Sequence, residues 1–229
     1  MAQPVHFPLS ISAIVIDLDG TLLHTAPELT EAANLMLREM DYAPVAPELL
    51  MSYIGNGISW LVKRALTGDM HATPDAALYE HALPIFEKHY TKLLLNSKPF
   101  DGVIDGLKEM KNAGFHLGCI TNKLARYTEP LLKGIGMDKY FEIVLSGDTL
   151  EEKKPHPLPL LHAAKFFGVP IEKLLLIGDS LNDTVAARAA GCPVFCVPYG
   201  YNHGEPVDSL FLDAVIANLP AALPLIKRA

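Results

Sequence analysis

Short apolar runs alternate with amphipathic segments along most of the chain. Five of these runs have the length of a strand and end in polar residues or glycine: Ser12 to Ile16, His116 to Ile120, Ile143 to Leu145, Leu174 to Ile177 and Val194 to Val197. Such runs are typical of strands buried on both faces of a parallel sheet. Amphipathic segments predict helices between them: Val103 to Ala113, Thr128 to Ile135, Leu158 to Phe167 and Asn182 to Ala190. The alternation predicts right-handed βαβ units in a doubly wound, mostly parallel α/β sheet.

The segment from about Thr25 to Pro99 interrupts this alternation, because it contains no convincing strand. Helical spacing appears there instead, in the set Leu29, Ala33, Met36 and Met40, in Ile58 to Leu66, and in Ala76 to Leu95 with an expected bend near Pro84. We therefore predict an α/β core formed by residues 1–24 and 100–229, with residues 25–99 inserted after the first strand as a small helical cap domain. An insert at the carboxyl end of a strand lies beside the usual ligand crevice, so the cap is a candidate lid.

Composition and charge restrict the class of protein. Half of the 229 residues are apolar, a fifth are charged and the formal net charge is −7, which is typical of a globular protein. An acidic chain without a dense Lys/Arg cluster is a poor candidate for nucleic-acid binding, and no apolar run reaches the roughly 20 residues that span a bilayer. Met1 to Ser10 lack a secretory-signal pattern, and three cysteines suggest neither disulfides nor zinc. We expect a cytoplasmic monomer or homodimer without nucleic-acid or membrane partners.

Two carboxylates follow the first predicted strand. Asp17 and Asp19 are one residue apart, so in extended chain their side chains point the same way. Gly20 then allows a sharp turn. Two close carboxylates repel each other unless a cation neutralises them or one of them holds a proton. Because hard divalent cations prefer oxygen ligands, this pattern indicates a Mg²⁺ site.

Three further polar groups follow other predicted strands or precede a rigid turn. Asp179 and Asp183 follow the apolar run that ends at Ile177, and on an adjacent parallel strand they would open on the same sheet edge as the first pair. Thr121 and Asn122 end another strand, and Lys154 precedes a proline turn. Carboxylates suit a metal site, whereas hydroxyl, amide and ammonium groups suit the equatorial oxygens of a transferring phosphoryl group.

These segments, in this order, resemble the four motifs of the haloacid dehalogenase-like hydrolase superfamily. The motifs are Asp17-Leu18-Asp19-Gly20-Thr21, Thr121-Asn122, Lys154-Pro155 and Gly178-Asp179-Ser180-Leu181-Asn182-Asp183. The resemblance covers nearly the whole chain and implies a Rossmann-like core with a helical cap. The cap segment Tyr53 to Gly57 and the loop Tyr199 to Gly204 are similar to those of bacterial phosphoglycolate phosphatases within this superfamily.

The resemblance also implies a role for each motif residue. It implies that Asp17 attacks phosphorus to form an aspartyl-phosphate, and that Asp19 first protonates the leaving alkoxide and later deprotonates water. Mg²⁺ would be held by the Asp17 carboxylate, the Asp19 backbone carbonyl and Asp179, with Asp183 supporting the site. Phosphoryl oxygens would be bound by three residues, Thr121, Asn122 and Lys154.

The implied activity is hydrolysis of a small phosphate ester, with 2-phosphoglycolate as the expected substrate. Sugar phosphates, nucleotides and pyrophosphate remain alternative substrates, and a sugar-phosphate mutase remains an alternative enzyme, although Thr21 argues mildly against it. A dehalogenase is disfavoured because Asp19 and the Asp179/Asp183 pair suit metal binding and proton transfer. A non-catalytic binding protein is disfavoured because every motif position holds a competent residue, but a shared fold alone does not fix function.

Overall fold

A computed structural model describes residues 6–229. Residues 1–5 lie outside the described residues. They include the start of the predicted core segment 1–24 and half of residues 1–10, which lack a secretory-signal pattern. The strands are β1 (Leu9–Ile11), β2 (Ala13–Ile16), β3 (Leu23–His24), β4 (Lys98–Pro99), β5 (His116–Ile120), β6 (Ile143–Leu145), β7 (Leu174–Gly178), β8 (Val194–Cys196), β9 (Ala214–Val215) and β10 (Ile226–Arg228).

Eight α-helices are found in the described part of the chain, together with short 3₁₀ turns. The helices are α1 (Ala26–Glu39), α2 (Pro47–Ser52), α3 (Ile58–Thr67), α4 (Ala76–Leu93), α5 (Val103–Asn112), α6 (Ala125–Gly134), α7 (Leu158–Phe167) and α8 (Leu181–Ala190). The 3₁₀ turns are Leu94–Asn96, Asp138–Tyr140, Ile171–Lys173, Val207–Ser209 and Leu219–Leu225.

Six strands form one parallel sheet, in the order β6-β5-β2-β7-β8-β9. The first predicted strand, β2, lies between β5 and β7, so that Ile14 is paired with Leu117 on one side and Leu175 on the other. The loops that follow these three strands therefore open on the same edge, as the sequence predicted. The doubly wound α/β fold is confirmed.

The two faces of this sheet pack into separate apolar cores. Ile14 and Ile16 of β2 are buried in one core, whereas Ala13 and Val15 are buried in the other. Successive side chains of a strand point to opposite faces of the sheet, so a strand that is buried on both faces must be apolar at every position. This explains the uninterrupted apolar runs. Each large aliphatic side chain so buried contributes about 2 kcal/mol of transfer free energy.

The helical insert is confirmed, and its four helices α1–α4 all lie between β3 and β4. These two short strands pair antiparallel, with Leu23 opposite Pro99 and His24 opposite Lys98. The chain therefore leaves the core and returns to it through a narrow two-stranded neck. We propose residues 25–99 as the cap domain on this basis. None of the helices in residues 6–229 is both long enough and apolar enough to cross a bilayer.

Some element boundaries differ from the predicted ones. Helix α6 begins at Ala125 rather than Thr128, because the Asp148 carboxylate accepts a hydrogen bond from the Ala125 N–H (2.8 Å) and so caps the helix from a distant loop. Helix α1 ends at Glu39, so Met40 lies at its C-cap rather than within it. Helix α4 continues past Pro84 as far as Leu93.

Candidate active site

Asp17 follows β2 and lies at the bottom of the crevice between core and cap. Its carboxylate is 2.9 Å from the Lys154 ammonium, and Oδ1 accepts a hydrogen bond from the Leu18 N–H (2.7 Å). The residue is only 9% exposed. Burial raises the pKa of Asp17 well above its usual range; the Lys154 charge opposes that rise, while Asp183 and Asp179 add to it.

Lys154 is buried between two carboxylates. Its ammonium lies 2.9 Å from Asp17 and donates a hydrogen bond to Asp183 (2.7 Å). Burial works against its charge, but Asp17 and Asp183 outweigh that effect and raise the pKa of Lys154 above its usual value. The preceding lysine has a different contact, because Lys153 donates to the Asn56 carbonyl of the cap (3.2 Å).

Asp179 and Asp183 follow β7 and join Asp17 in one acidic cluster. One carboxylate oxygen from each of the three lies within 4.8 Å of the others. Burial, followed by the charge of Asp183, raises the pKa of Asp179 to about 7. Three carboxylates face one ammonium here, and this excess of buried negative charge fits a hard divalent cation such as Mg²⁺.

Asp183 is held through both of its carboxylate oxygens. One oxygen accepts from the Lys154 ammonium (2.7 Å). The other accepts from the N–H and the hydroxyl of Ser180, which completes a capping box at the start of α8. Asp183 therefore holds both the Lys154 ammonium and the first turn of α8 in position.

Asp179 is held by the loops that surround it. It accepts hydrogen bonds from the Thr21 hydroxyl (2.7 Å) and from the Tyr201 N–H (2.7 Å). The chain also passes it closely at Gly20, where φ is +87° and a Cβ would lie 2.5 Å from an Asp179 oxygen. Only glycine fits this turn, because a side chain would clash there and would strain the backbone.

Asp19 lines the same cavity as Asp17 but has a different partner. The Lys123 ammonium lies 2.9 and 3.2 Å from its two carboxylate oxygens. The Lys123 side chain is 2% exposed. Burial alone would lower the pKa of Lys123, but Asp19 and Tyr90 together outweigh burial and raise that pKa above its usual value. The sequence interpretation did not assign Lys123; the available signal was its position directly after Thr121-Asn122.

Thr121 and Asn122 follow β5 and also line the cavity. The Thr121 hydroxyl accepts a hydrogen bond from the Lys123 N–H (3.1 Å). The Asn122 amide donates to the Lys154 carbonyl (2.9 Å) and to the Gly55 carbonyl of the cap (3.1 Å). Asn122 therefore joins the cap to the lysine loop in this structure, and its phosphate contact stays a prediction.

The cap closes the cavity with apolar side chains and a glycine-containing loop. The lining residues from the cap are Leu29, Ile54, Gly55, Gly57, Ile58 and Leu61. The centre of a water-sized sphere can occupy about 40 Å³ of this cavity. Core side chains hold the loop in place: Asn182 donates to the Gly55 carbonyl (3.2 Å), and His203 Nδ1 lies 2.8 Å from the Ser52 carbonyl oxygen. So small a cavity suits a small substrate.

Two basic residues of the cap do not reach this cavity. Arg64 is buried and donates to the Tyr53 carbonyl (2.7 Å), the Met70 carbonyl (3.0 Å) and the Asn56 side chain (2.9 Å). Arg64 therefore shapes the cap loop. The Lys63 ammonium lies 5.1 Å from the centre of the Trp60 ring and 5.2 Å from that of the Tyr79 ring.

Comparison with known proteins identifies similar sequences and structures. The family model for haloacid dehalogenase-like hydrolases matches residues 14–197. The phosphoglycolate phosphatase of Thiobacillus denitrificans is 58% identical over 97% of this chain and 99% of its own length, and that of Nitrosospira multiformis is 51% identical over 98% and 99%. The crystal structure of a predicted phosphoglycolate phosphatase from Haemophilus somnus 129PT is similar at a TM-score of 0.86 and 30% identity, covering 93% of this chain and 96% of that one.

Proposed function

Since the chain belongs to the haloacid dehalogenase-like hydrolase family, we propose that it is a Mg²⁺-dependent phosphatase that converts 2-phosphoglycolate and water to glycolate and phosphate. Its relatives over nearly the full chain are phosphoglycolate phosphatases, and the chain is a hydrolase of phosphoric monoesters. The substrate is proposed from the names of two relatives that match nearly the full chain, and from the small cavity. We expect it to act in the cytoplasm.

One observation carries the proposed mechanism: Asp17 and Asp19 line one cavity but pair with different lysines. Asp17 is held at the bottom by Lys154, which leaves its second oxygen to attack phosphorus. Asp19 is held at the side by Lys123, where the ester oxygen of a bound substrate would leave. Two carboxylates in different surroundings can take different roles, one as nucleophile and the other as acid and base.

In the first step, a carboxylate oxygen of Asp17 forms a bond to phosphorus while the bond between phosphorus and the ester oxygen breaks. Asp19, protonated at this stage, gives its proton to that leaving oxygen, and the alcohol departs. In the second step, Asp19 as a carboxylate takes a proton from water, and the water oxygen forms a bond to phosphorus while the bond between phosphorus and the Asp17 oxygen breaks. Inorganic phosphate leaves, and both residues return to their starting states.

The remaining residues hold the phosphoryl group and the metal. We propose that Mg²⁺ is held by the carboxylates of Asp17 and Asp179 and by the Asp19 backbone carbonyl, while Asp183 positions Lys154. When bound, Mg²⁺ supplies positive charge that offsets the phosphoryl oxygens and the acidic cluster. Lys154 and the Thr121 hydroxyl are proposed to bind phosphoryl oxygens.

Phosphate release from a panel of esters tests this function. The panel contains 2-phosphoglycolate, hexose phosphates, nucleoside monophosphates and pyrophosphate, each with Mg²⁺ and with excess chelator. We expect kcat/KM for 2-phosphoglycolate to lead by about 100-fold, equivalent to about 2.7 kcal/mol of transition-state binding. A lead by another ester would replace the proposed substrate, and undiminished activity in chelator would remove the metal from the mechanism.

A further inference from the structure

We propose that Lys123 binds an anionic group on the leaving alcohol, so that the enzyme selects phosphate esters whose alcohol carries a carboxylate. The inference comes from one juxtaposition: a buried ammonium lies against Asp19, inside a cavity whose cap side is apolar. It rests on the proposed function, because it needs the ester oxygen to leave beside Asp19. It adds a residue that determines specificity.

The position of Lys123 places its charge beside the proposed leaving group. Its ammonium is 2.9 Å from Asp19, which in the proposed mechanism protonates the ester oxygen. In 2-phosphoglycolate the carboxyl carbon is two covalent bonds from that oxygen. A carboxylate so close to the ester oxygen, within a cavity lined by Asp19 and Lys123, comes within reach of this ammonium.

The other cations near the site are committed elsewhere. Lys154 is shared between Asp17 and Asp183, and Lys153 donates to the Asn56 carbonyl. Arg64 of the cap is bound to carbonyl groups of its own domain. Among the described residues that line the cavity, Lys123 carries the single positive charge. A substrate carboxylate placed against the apolar cap surface would otherwise lose hydration without gaining a partner.

A second observation beside Lys123 indicates an absent hydrogen-bond acceptor. Tyr90 of α4 is fully buried, and its hydroxyl proton has no acceptor among the described residues. The Lys123 ammonium lies 5.1 Å from the centre of the Tyr90 ring. A buried hydroxyl without an acceptor costs free energy. A carboxylate bound at Lys123 would bring an acceptor to this part of the cap and so link substrate binding to cap closure.

A simpler role for Lys123 is to hold Asp19 in position, and the two roles predict different kinetics. If Lys123 only positions Asp19, its loss slows the hydrolysis of every ester by the same factor. If it binds a carboxylate, its loss affects the carboxylate-bearing ester more. The ratio of kcat/KM for 2-phosphoglycolate to kcat/KM for ethyl phosphate separates the roles, because ethyl phosphate carries a methyl group in place of the carboxylate.

The experiment measures this ratio in the wild-type protein and in Lys123→Met, Lys123→Arg and Lys153→Met. We expect Lys123→Met to lower the ratio by roughly 10- to 100-fold, the range for a lost charge-assisted hydrogen bond. Lys123→Arg should retain part of the preference because it keeps the charge. Lys153→Met is the matched control, since it removes a neighbouring ammonium that contacts the cap but not the cavity, and its ratio should equal that of the wild type.

Two results would overturn the role of Lys123, and only one of them would also contradict the proposed substrate. A wild-type protein that does not prefer 2-phosphoglycolate to ethyl phosphate would contradict both the proposed substrate and the role of Lys123. A wild-type preference that persists in Lys123→Met would contradict the role of Lys123 alone. Inhibition by inorganic phosphate, which lacks the leaving group, should remain within about threefold of wild type in Lys123→Met. Retained inhibition shows that the variant is folded, so that its ratio reports on specificity.

Discussion

Replacing the proposed nucleophile should make the metal-free protein more stable while abolishing its turnover. Asp17→Asn keeps the size of the side chain and removes its charge from the acidic cluster. The amide oxygen of the variant could still accept from the Leu18 N–H and from Lys154, since both groups now approach the same carboxylate oxygen, Oδ1. The amide nitrogen would replace the second carboxylate oxygen, the one not taken by these donors. The substitution therefore removes repulsion without losing hydrogen bonds.

The size of the effect follows from the distances. With an effective dielectric constant of about 20, repulsion across 4.8 Å is about 3.5 kcal/mol for each of the two carboxylate neighbours, and attraction to Lys154 at 2.9 Å is about 6 kcal/mol. These terms leave about 1 kcal/mol of net repulsion. Burial of the charged carboxylate adds a further cost, so we expect Asp17→Asn to gain roughly 1–3 kcal/mol. For a chain of this length, that raises Tm by about 3–10 °C.

The assay is thermal unfolding in chelator at pH 7.5, with Asp183→Asn as the matched control. Asp183 accepts from Lys154 and from Ser180 through both of its oxygens, so an amide nitrogen there would face a donor. We expect Asp183→Asn to lower Tm, opposite to Asp17→Asn. Added Mg²⁺ should raise Tm in the wild type and much less in Asp17→Asn. A lower Tm for Asp17→Asn in chelator would refute the view that the cluster carries excess negative charge.

Three further predictions concern the acid-base residue, pH and the cap. Asp19→Asn should lower kcat by roughly 100- to 10,000-fold, measured by phosphate release, and should also lower Tm because the buried Lys123 ammonium loses its carboxylate partner; a small loss of kcat would exclude general acid-base catalysis by Asp19. Because the pKa of Asp179 is raised to about 7 in the folded protein, its contribution to stability is greatest below about pH 4 and is lost as pH rises to 7. The Tm of Asp179→Asn should therefore rise relative to that of the metal-free wild type across that interval, and a constant difference would contradict this expectation. Asn182→Ala removes the bond to Gly55 and should raise KM about 2- to 10-fold; an unchanged KM would mean that this contact does not hold the cap.

The sheet could be predicted from the sequence because burial on both faces leaves a strong pattern. Ile14 and Val15 point to opposite faces and are both apolar, and the same is true of the other central strands. Shorter strands leave no such pattern: β1 and β10 pair with each other from opposite ends of the chain, with Ile11 opposite Arg228, and neither was predicted. Helix α2, six residues long, was also missed.

The acidic part of the candidate site could be predicted because its residues stand at strand ends, where topology brings them together. Lys123 could not be assigned, because its contact with Asp19 joins residues 104 positions apart and depends on which way one side chain turns. Arg64 shows the same limit: an arginine is usually exposed, whereas Arg64 is buried against backbone carbonyls. Side-chain direction in loops is set by tertiary packing, which a motif does not encode.

Trapping the covalent intermediate tests the central claim most directly. The protein is mixed with 2-phosphoglycolate and Mg²⁺, quenched in acid within the first turnover, digested and examined by mass spectrometry. Hydrolysis through Asp17 predicts one added phosphoryl group on the peptide that contains Asp17, absent from Asp17→Asn and from a reaction in chelator. Turnover at the wild-type rate by Asp17→Asn, or a phosphoryl group on a different residue, would contradict the covalent mechanism.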